Sequence, residues 1–89
     1  MLTREAKITN SLGLHARPAS LFVKTAAQFE SDIRIEKDGV EVNGKSIMGV
    51  MMLAAEQGST VIIKADGKDE KEAIEALIQL IEERTFDEQ

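Results

Sequence analysis

Histidine occurs once in the sequence, at His15, inside the run Gly13-Leu14-His15-Ala16-Arg17-Pro18-Ala19. A lone histidine is most often an exposed loop residue or a helix cap, but three neighbours turn this one toward chemistry. Pro18 has no N–H and is tolerated only in a first helical turn, so a helix must begin within a residue or two of His15. The amides left free at that start, and the positive end of the helix dipole, then face whatever the imidazole carries. Arg17 adds a planar cation able to hold a phosphoryl group through paired hydrogen bonds, and Gly13 lets the loop bend away so that the ring stays exposed. An imidazole set against an anion site, with no metal ligand and no second base, suits taking up and handing on a phosphoryl group better than hydrolysis.

A second anomaly follows Ser46. Ile47, Met48, Val50, Met51, Met52, Leu53, Ala54 and Ala55 are apolar around the whole circumference of a helix, yet a short helix on a two-layer protein buries one side only. Some of these side chains must therefore be exposed, and methionine re-packs readily against different partners, which makes the run a candidate docking patch. Gly49 inside it costs about 1 kcal/mol relative to alanine, and close approach by another surface would offset that. Ser46 is explained by its place as an N-cap, and a phosphate there would be tolerated at a helix start.

Other chemistries lack their residues. There is no cysteine, hence no disulfide, thiolate metal site or cysteine nucleophile, and one histidine does not make a zinc site. No P-loop glycine pattern occurs, and Asp66-Gly67-Lys68-Asp69 lacks the EF-hand spacing. Glu70, Glu72, Glu75, Glu82 and Glu83 read as a solvated helix face. Neither a metal nor a cofactor is expected. Eleven Lys and Arg against sixteen Asp and Glu give a net charge of −5, which argues against nucleic-acid backbones and anionic membranes. Three phenylalanines are the only aromatics, too few for a base-stacking platform. The longest uncharged apolar run, Ile47 to Ala55, falls far short of the roughly 20 residues that span a bilayer, so a soluble, cytoplasmic protein is expected.

The elements that must position these residues are legible from spacing. The 89 residues make one domain. Ala6 and Ile8 alternate with polar neighbours over Arg4 to Thr9, predicting a strand. Ala19, Phe22, Val23, Ala26 and Phe29 have helical spacing and predict a helix over Pro18 to Phe29. Ile33 and Ile35, the turn Asp38-Gly39, then Val40 and Val42 predict a hairpin, which Asn43-Gly44 leaves. A second helix is predicted from the Ser46 cap to Ala55, stopped by Gly58. Val61, Ile63 and Ala65 mark a fourth strand ended by Asp66-Gly67, and Asp69 with Glu72 predicts a capping box opening a third helix that runs through Ile81. The order βαββαβα implies an α+β, open-faced two-layer sandwich: a four-stranded antiparallel sheet covered on one face by three helices.

With its two motifs, Gly13 to Ala19 and Lys45-Ser46-Ile47-Met48-Gly49-Val50-Met51, at their spacing, the chain resembles over its whole length the HPr family, histidine-containing phosphocarriers of the bacterial phosphoenolpyruvate-dependent phosphotransferase system. The resemblance implies a stoichiometric intermediate rather than a stand-alone catalyst. It would take a phosphoryl group from phosphorylated enzyme I onto His15 Nδ1 and pass it to a histidine of enzyme IIA proteins. Arg17 would neutralise the group, and the backbone amides of Ala16 and Arg17 would bind its oxygens. Ile47, Met48 and Met51 would dock on both partners, with Lys24 and Lys45 at the rim. Ser46 matches the family's regulatory site, phosphorylated by the ATP-dependent HPr kinase/phosphorylase in lineages that have one, and a monomer is the family expectation. Leu12 stands where several relatives carry a small polar residue, which removes a side-chain hydrogen bond to the phosphoryl group, and Ser20 stands where alanine is common. Two other readings remain open: a nitrogen-branch paralogue with regulatory rather than sugar-transport output, and a purely regulatory binding module acting through phospho-Ser46.

Overall fold

A computed structural model of the chain describes residues 1–87. The elements follow the predicted order: β1 Leu2–Lys7, α1 Ala16–Ala26, β2 Asp32–Lys37, β3 Val40–Asn43, α2 Ile47–Met52, β4 Thr60–Asp66 and α3 Glu70–Ile78. α3 runs on into a π-helical turn, Gln79–Glu83, and a short 3-10 turn, Thr85–Asp87. The four strands form one antiparallel sheet in the order β1-β4-β2-β3, and the helices cover one of its faces. No described helix is long and apolar enough to cross a membrane.

Alternation decides which face is which. Ile33, Ile35, Val61, Ile63 and Ala65 point into the core and meet Ala19, Phe22 and Ala26 of α1 and Ile74 and Leu77 of α3, all of them buried. The other face carries the polar half of each strand. There the Lys64 ammonium bonds Glu36 at 2.9 Å and Glu41 at 2.7 Å, and the hydrogen bonds to Glu41 and then Glu36 hold its pKa above the ordinary lysine value. Arg34 pairs with Asp32 at 3.0 Å beside them. A hollow of about 420 Å³ among these charges, lined also by Met1 and Asp66, lies on this face and does not include His15.

The element boundaries depart from the sequence reading where the chain makes long-range bonds. β1 starts two residues before Arg4 and ends at Lys7, because Ile8 instead exchanges backbone bonds with the turn before β4: Ile8 N–H to Ser59 O at 2.8 Å and Gly58 N–H to Ile8 O at 2.7 Å. That places Gly58 in a turn, at φ 91°, rather than at the end of α2. α2 stops at Met52, not Ala55, because Ala54 adopts φ 51° and turns the chain away. α1 ends at Ala26, three residues before Phe29, whose carbonyl is taken by the Lys45 ammonium at 2.7 Å.

The expected capping box at α3 does not form. Asp69 is the N-cap, but its carboxylate reaches across to the Glu30 amide at 2.9 Å, the Ser31 amide at 3.0 Å and the Ser31 hydroxyl. These bonds, led by the Ser31 hydroxyl, hold its pKa below the ordinary aspartate value. Glu70 takes the local role instead, accepting from Gly67 N–H at 3.1 Å. Beyond Ile78 the π turn carries Leu80 and Ile81 into the core, and Phe86, at φ 55°, closes it from below, an inward turn that helical spacing alone does not announce.

Candidate functional site

His15 is the N-cap of α1, in extended backbone at φ −78° and ψ −168°, and its side chain makes no capping bond. Its carbonyl already accepts Ala19 N–H at 2.8 Å. Pro18, buried at the third helical position, has no N–H to offer, so Ala16 and Arg17 supply the two amides of the first turn that no intrahelical carbonyl can accept. Both residues are exposed, and no carboxylate pairs with the Arg17 guanidinium among the described residues. No acidic residue occupies this first turn, so the positive end of the helix is uncompensated. Imidazole, two free amides and an unpaired guanidinium within three consecutive residues form a surface site with room for an oxyanion, not a pocket for a small-molecule substrate.

The loop before His15 is built to hold its backbone while leaving its ring outside. Gly13 takes φ 61°, and a Cβ there would come within 2.3 Å of Ala55 O. The close approach lets Leu14 N–H donate to that same carbonyl at 2.8 Å, which ties the His15 loop to the segment leaving α2, and Leu14 is buried there. The early end of α2 is what frees the Ala55 carbonyl for this bond. Sequence spacing placed Gly13 as a bend; its role in seating the loop on Ala55 needed the tertiary structure.

α2 packs against α1 and presents the second motif. Ser46 is its N-cap, with Oγ accepting Gly49 N–H at 3.1 Å. A Cβ at Gly49 would stand 3.3 Å from the Ser46 hydroxyl and 3.4 Å from Asn43 O, a snug fit close to ordinary contact. Val50 and Leu53 are buried, whereas Ile47, Met48 and Met51 are exposed, so the apolar run does divide into an inner and an outer face. Met52, 77% exposed, adds to that outer face, and Leu12 is 57% exposed on the loop leading to His15. Met52 lies in the apolar run that the sequence marks as a docking patch, though the family resemblance names only Ile47, Met48 and Met51; nothing in the sequence marks Leu12 for docking. Lys24 lies exposed in the last turn of α1. Lys45 is partly buried and spends its ammonium on Phe29 O, tying the segment that follows α1 to the start of α2. Among the described residues no group of His, Asp and Glu side chains is arranged to hold a metal ion.

Comparison with known proteins agrees with this geometry. The sequence profile described as "PTS HPr component phosphorylation site" matches residues 2–83. HPr-like protein Crh of Halalkalibacterium halodurans is 52% identical over 82 residues, 92% of this chain and 98% of that one. Phosphocarrier protein HPr of Neisseria meningitidis serogroup A is 51% identical over 81 residues, 91% of each chain. Among solved structures, HPr-C-His from Thermoanaerobacter tengcongensis superposes with a TM-score of 0.95 at 53% identity, covering 100% of this chain and 99% of that one. A structure described as an HPr dimer from the same organism gives 0.76 at 56% identity, covering 89% and 91%.

Proposed function

The chain belongs to the HPr family of the phosphotransferase system, and from that membership we propose that it is a phosphoryl carrier with His15 as its acceptor. The observation that carries the reading is the start of α1: an exposed imidazole at the N-cap, followed at once by the unbonded amides of Ala16 and Arg17 and an unpaired guanidinium. In the first transfer the phosphorus bond to phosphorylated enzyme I breaks as a bond to His15 Nδ1 forms. Nδ1 must offer a lone pair, so the ring proton resides on Nε2 and stays there, and no separate base is needed. The amides and Arg17 oppose the charge on the phosphoryl oxygens, most strongly as it passes between the two nitrogens. The second transfer reverses the geometry onto a histidine of an enzyme IIA protein.

Ile47, Met48, Met51 and Met52 on α2, with Leu12, form the apolar surface on which both partners dock, and Lys24 and Lys45 set positive charge at its rim within a chain of net charge −5. Because the phosphoryl site lies on an exposed helix end, partners can bring their own reacting group to it directly. Incubation with enzyme I and labelled phosphoenolpyruvate tests the reading. One acid-labile, base-stable label per chain, lost in His15→Ala, is the expected result, and acid-stable label overturns it.

On this reading the carrier is cytoplasmic and monomeric. Light scattering on a gel-filtration peak should give the mass of one chain, 9.8 kDa, and twice that mass would place it with the dimeric relative. A regulatory reading through Ser46 is favoured by the 52% identity to HPr-like protein Crh. There Ser46, at the start of exposed α2, would receive its phosphate from the HPr kinase/phosphorylase. His15→Ala retaining every cellular function would select that reading over the carrier.

A further inference from the structure

Two polar side chains are buried among the described residues, Ser31 and Asn10, and the proposed transfer chemistry uses neither. The Ser31 hydroxyl is matched by Asp69. Asn10 is 1% exposed, and its amide is only half satisfied: Nδ2 donates to Gly13 O at 2.9 Å, while Oδ1 has no hydrogen-bond partner. Closing the turn from Asn10 to Gly13 does not require this side chain, since Gly13 N–H already bonds Asn10 O at 3.2 Å. A buried acceptor left unpaired opposes folding, so the side chain calls for another explanation.

The explanation lies in which peptide it grips. The Gly13 carbonyl and the Leu14 N–H belong to one peptide unit. Asn10 holds that unit by its oxygen and Ala55 holds it by its nitrogen, at 2.8 Å. The next residue in the chain is His15. Gly13, without a Cβ, offers little intrinsic resistance to rotation of that plane, and rotation would swing the His15 backbone relative to the first turn of α1. Two hydrogen bonds on opposite ends of a planar group fix its orientation where one would leave it a pivot.

We propose that Asn10 is a positioning residue for phosphoryl transfer, clamping the Gly13–Leu14 peptide so that the His15 imidazole and the free amides of Ala16 and Arg17 address the same phosphoryl group. The proposal rests on the carrier reading of His15. It separates Asn10 from the docking surface: loss of the clamp disturbs alignment at the reacting atoms and leaves Ile47, Met48 and Met51 as they are.

The test compares the wild-type protein with Asn10→Ala, which removes the donor together with the unpaired acceptor, and with Asn10→Asp, which keeps the shape but sets an acceptor against Gly13 O. Steady-state transfer from phosphorylated enzyme I is measured below the melting temperature of each variant. The expected result is a kcat of enzyme I with the variant as substrate reduced about 10- to 100-fold, the scale of an ångström-level misplacement, with enzyme I's KM for the variant within about twofold of its KM for wild type. A wild-type kcat in either folded variant overturns the proposal, as does a raised KM at unchanged kcat, which would make Asn10 a contributor to docking alone. Wild-type protein that takes no label from enzyme I overturns the carrier reading and this proposal with it. Label on the wild type with unaltered variants overturns this proposal only.

Discussion

Leu14 N–H donates to the Ala55 carbonyl at 2.8 Å, so the residue before His15 and the segment that leaves α2 share one hydrogen bond. The two motifs, distant in sequence, are thereby one mechanical unit. A change that lifts the Ala54–Ala55 segment moves the loop that carries His15.

The tightest point of that unit is Gly13. Gly13→Ala combines a left-handed φ of 61° with a Cβ 2.3 Å from Ala55 O and 2.9 Å from Glu56 Cα, and is expected to cost about 3 kcal/mol. Gly58→Ala, at φ 91° with open space around it, should lose only the backbone contribution, about 1–2 kcal/mol. Urea midpoints of the two variants check the difference, and equal losses would show that contact with Ala55 is unimportant.

Ala54 offers the opposite experiment. It ends α2 at φ 51°, where an L-residue is strained and glycine is not. Ala54→Gly is expected to stabilise the protein by about 1 kcal/mol after allowing for the greater freedom of glycine in the unfolded chain, visible as a melting temperature raised by several degrees.

The outer face of α2 should separate binding from folding. Met48 is 74% exposed and Met52 77%, so Met48→Asp and Met52→Asp should leave the melting temperature nearly unchanged. Each should weaken the complexes with enzyme I and enzyme IIA about tenfold. Val50→Asp, at a buried position of the same helix, should unfold the protein or nearly so. Collapse of the two methionine variants would place their side chains in the core.

Negative charge at the α2 start should act on docking alone. Ser46→Asp should fold, since the helix N-terminus accommodates a carboxylate, and should slow phosphoryl transfer by raising enzyme I's KM for the variant. Transfer at the wild-type rate would remove Ser46 from the docking surface.

Acid sensitivity should centre on Asp69. Its folded pKa is lowered, first by the Ser31 hydroxyl and then by the Glu30 amide. The stability it contributes is therefore present above the ordinary aspartate pKa and fades as pH falls below that value and through the lowered one. Glu70, lowered chiefly by the Gly67 amide, adds a contribution of the same sign. Asp69→Asn should be less stable at neutral pH and lose less on acidification, measured as urea midpoints between about pH 6 and 2. An unchanged pH slope would show that the Asp69 bridge is not formed in solution.

What the sequence disclosed was what local physics governs. Period-two alternation in β2 and β4 named Ile33, Ile35, Val61, Ile63 and Ala65 as core, and all are buried. Pro18 located the start of α1 to within two residues, because a proline constrains its own neighbourhood. Features decided by distant residues were not visible. Asp69 looked like a local cap and proved to be a bridge to Ser31, and the Ala55 carbonyl beyond α2 is taken by Leu14, some forty positions earlier in the chain. Asn10, a polar residue beside a turn, gave no sign of being buried, since turns ordinarily keep asparagine in water.

The strand order has a consequence for how the chain comes into being. β1 pairs only with β4, Leu2 opposite Ala65, and β2 reaches β1 only through β4. β1 thus waits for β4 before its backbone has a strand partner, whereas the β2–β3 hairpin pairs neighbours in the chain. Completion of the sheet therefore depends on a contact remote in sequence, whose loop must close before it is rewarded. Until β4 is in place, β1 stays apart from the β2–β3 hairpin, and the loop that carries His15 lacks the complete sheet behind it.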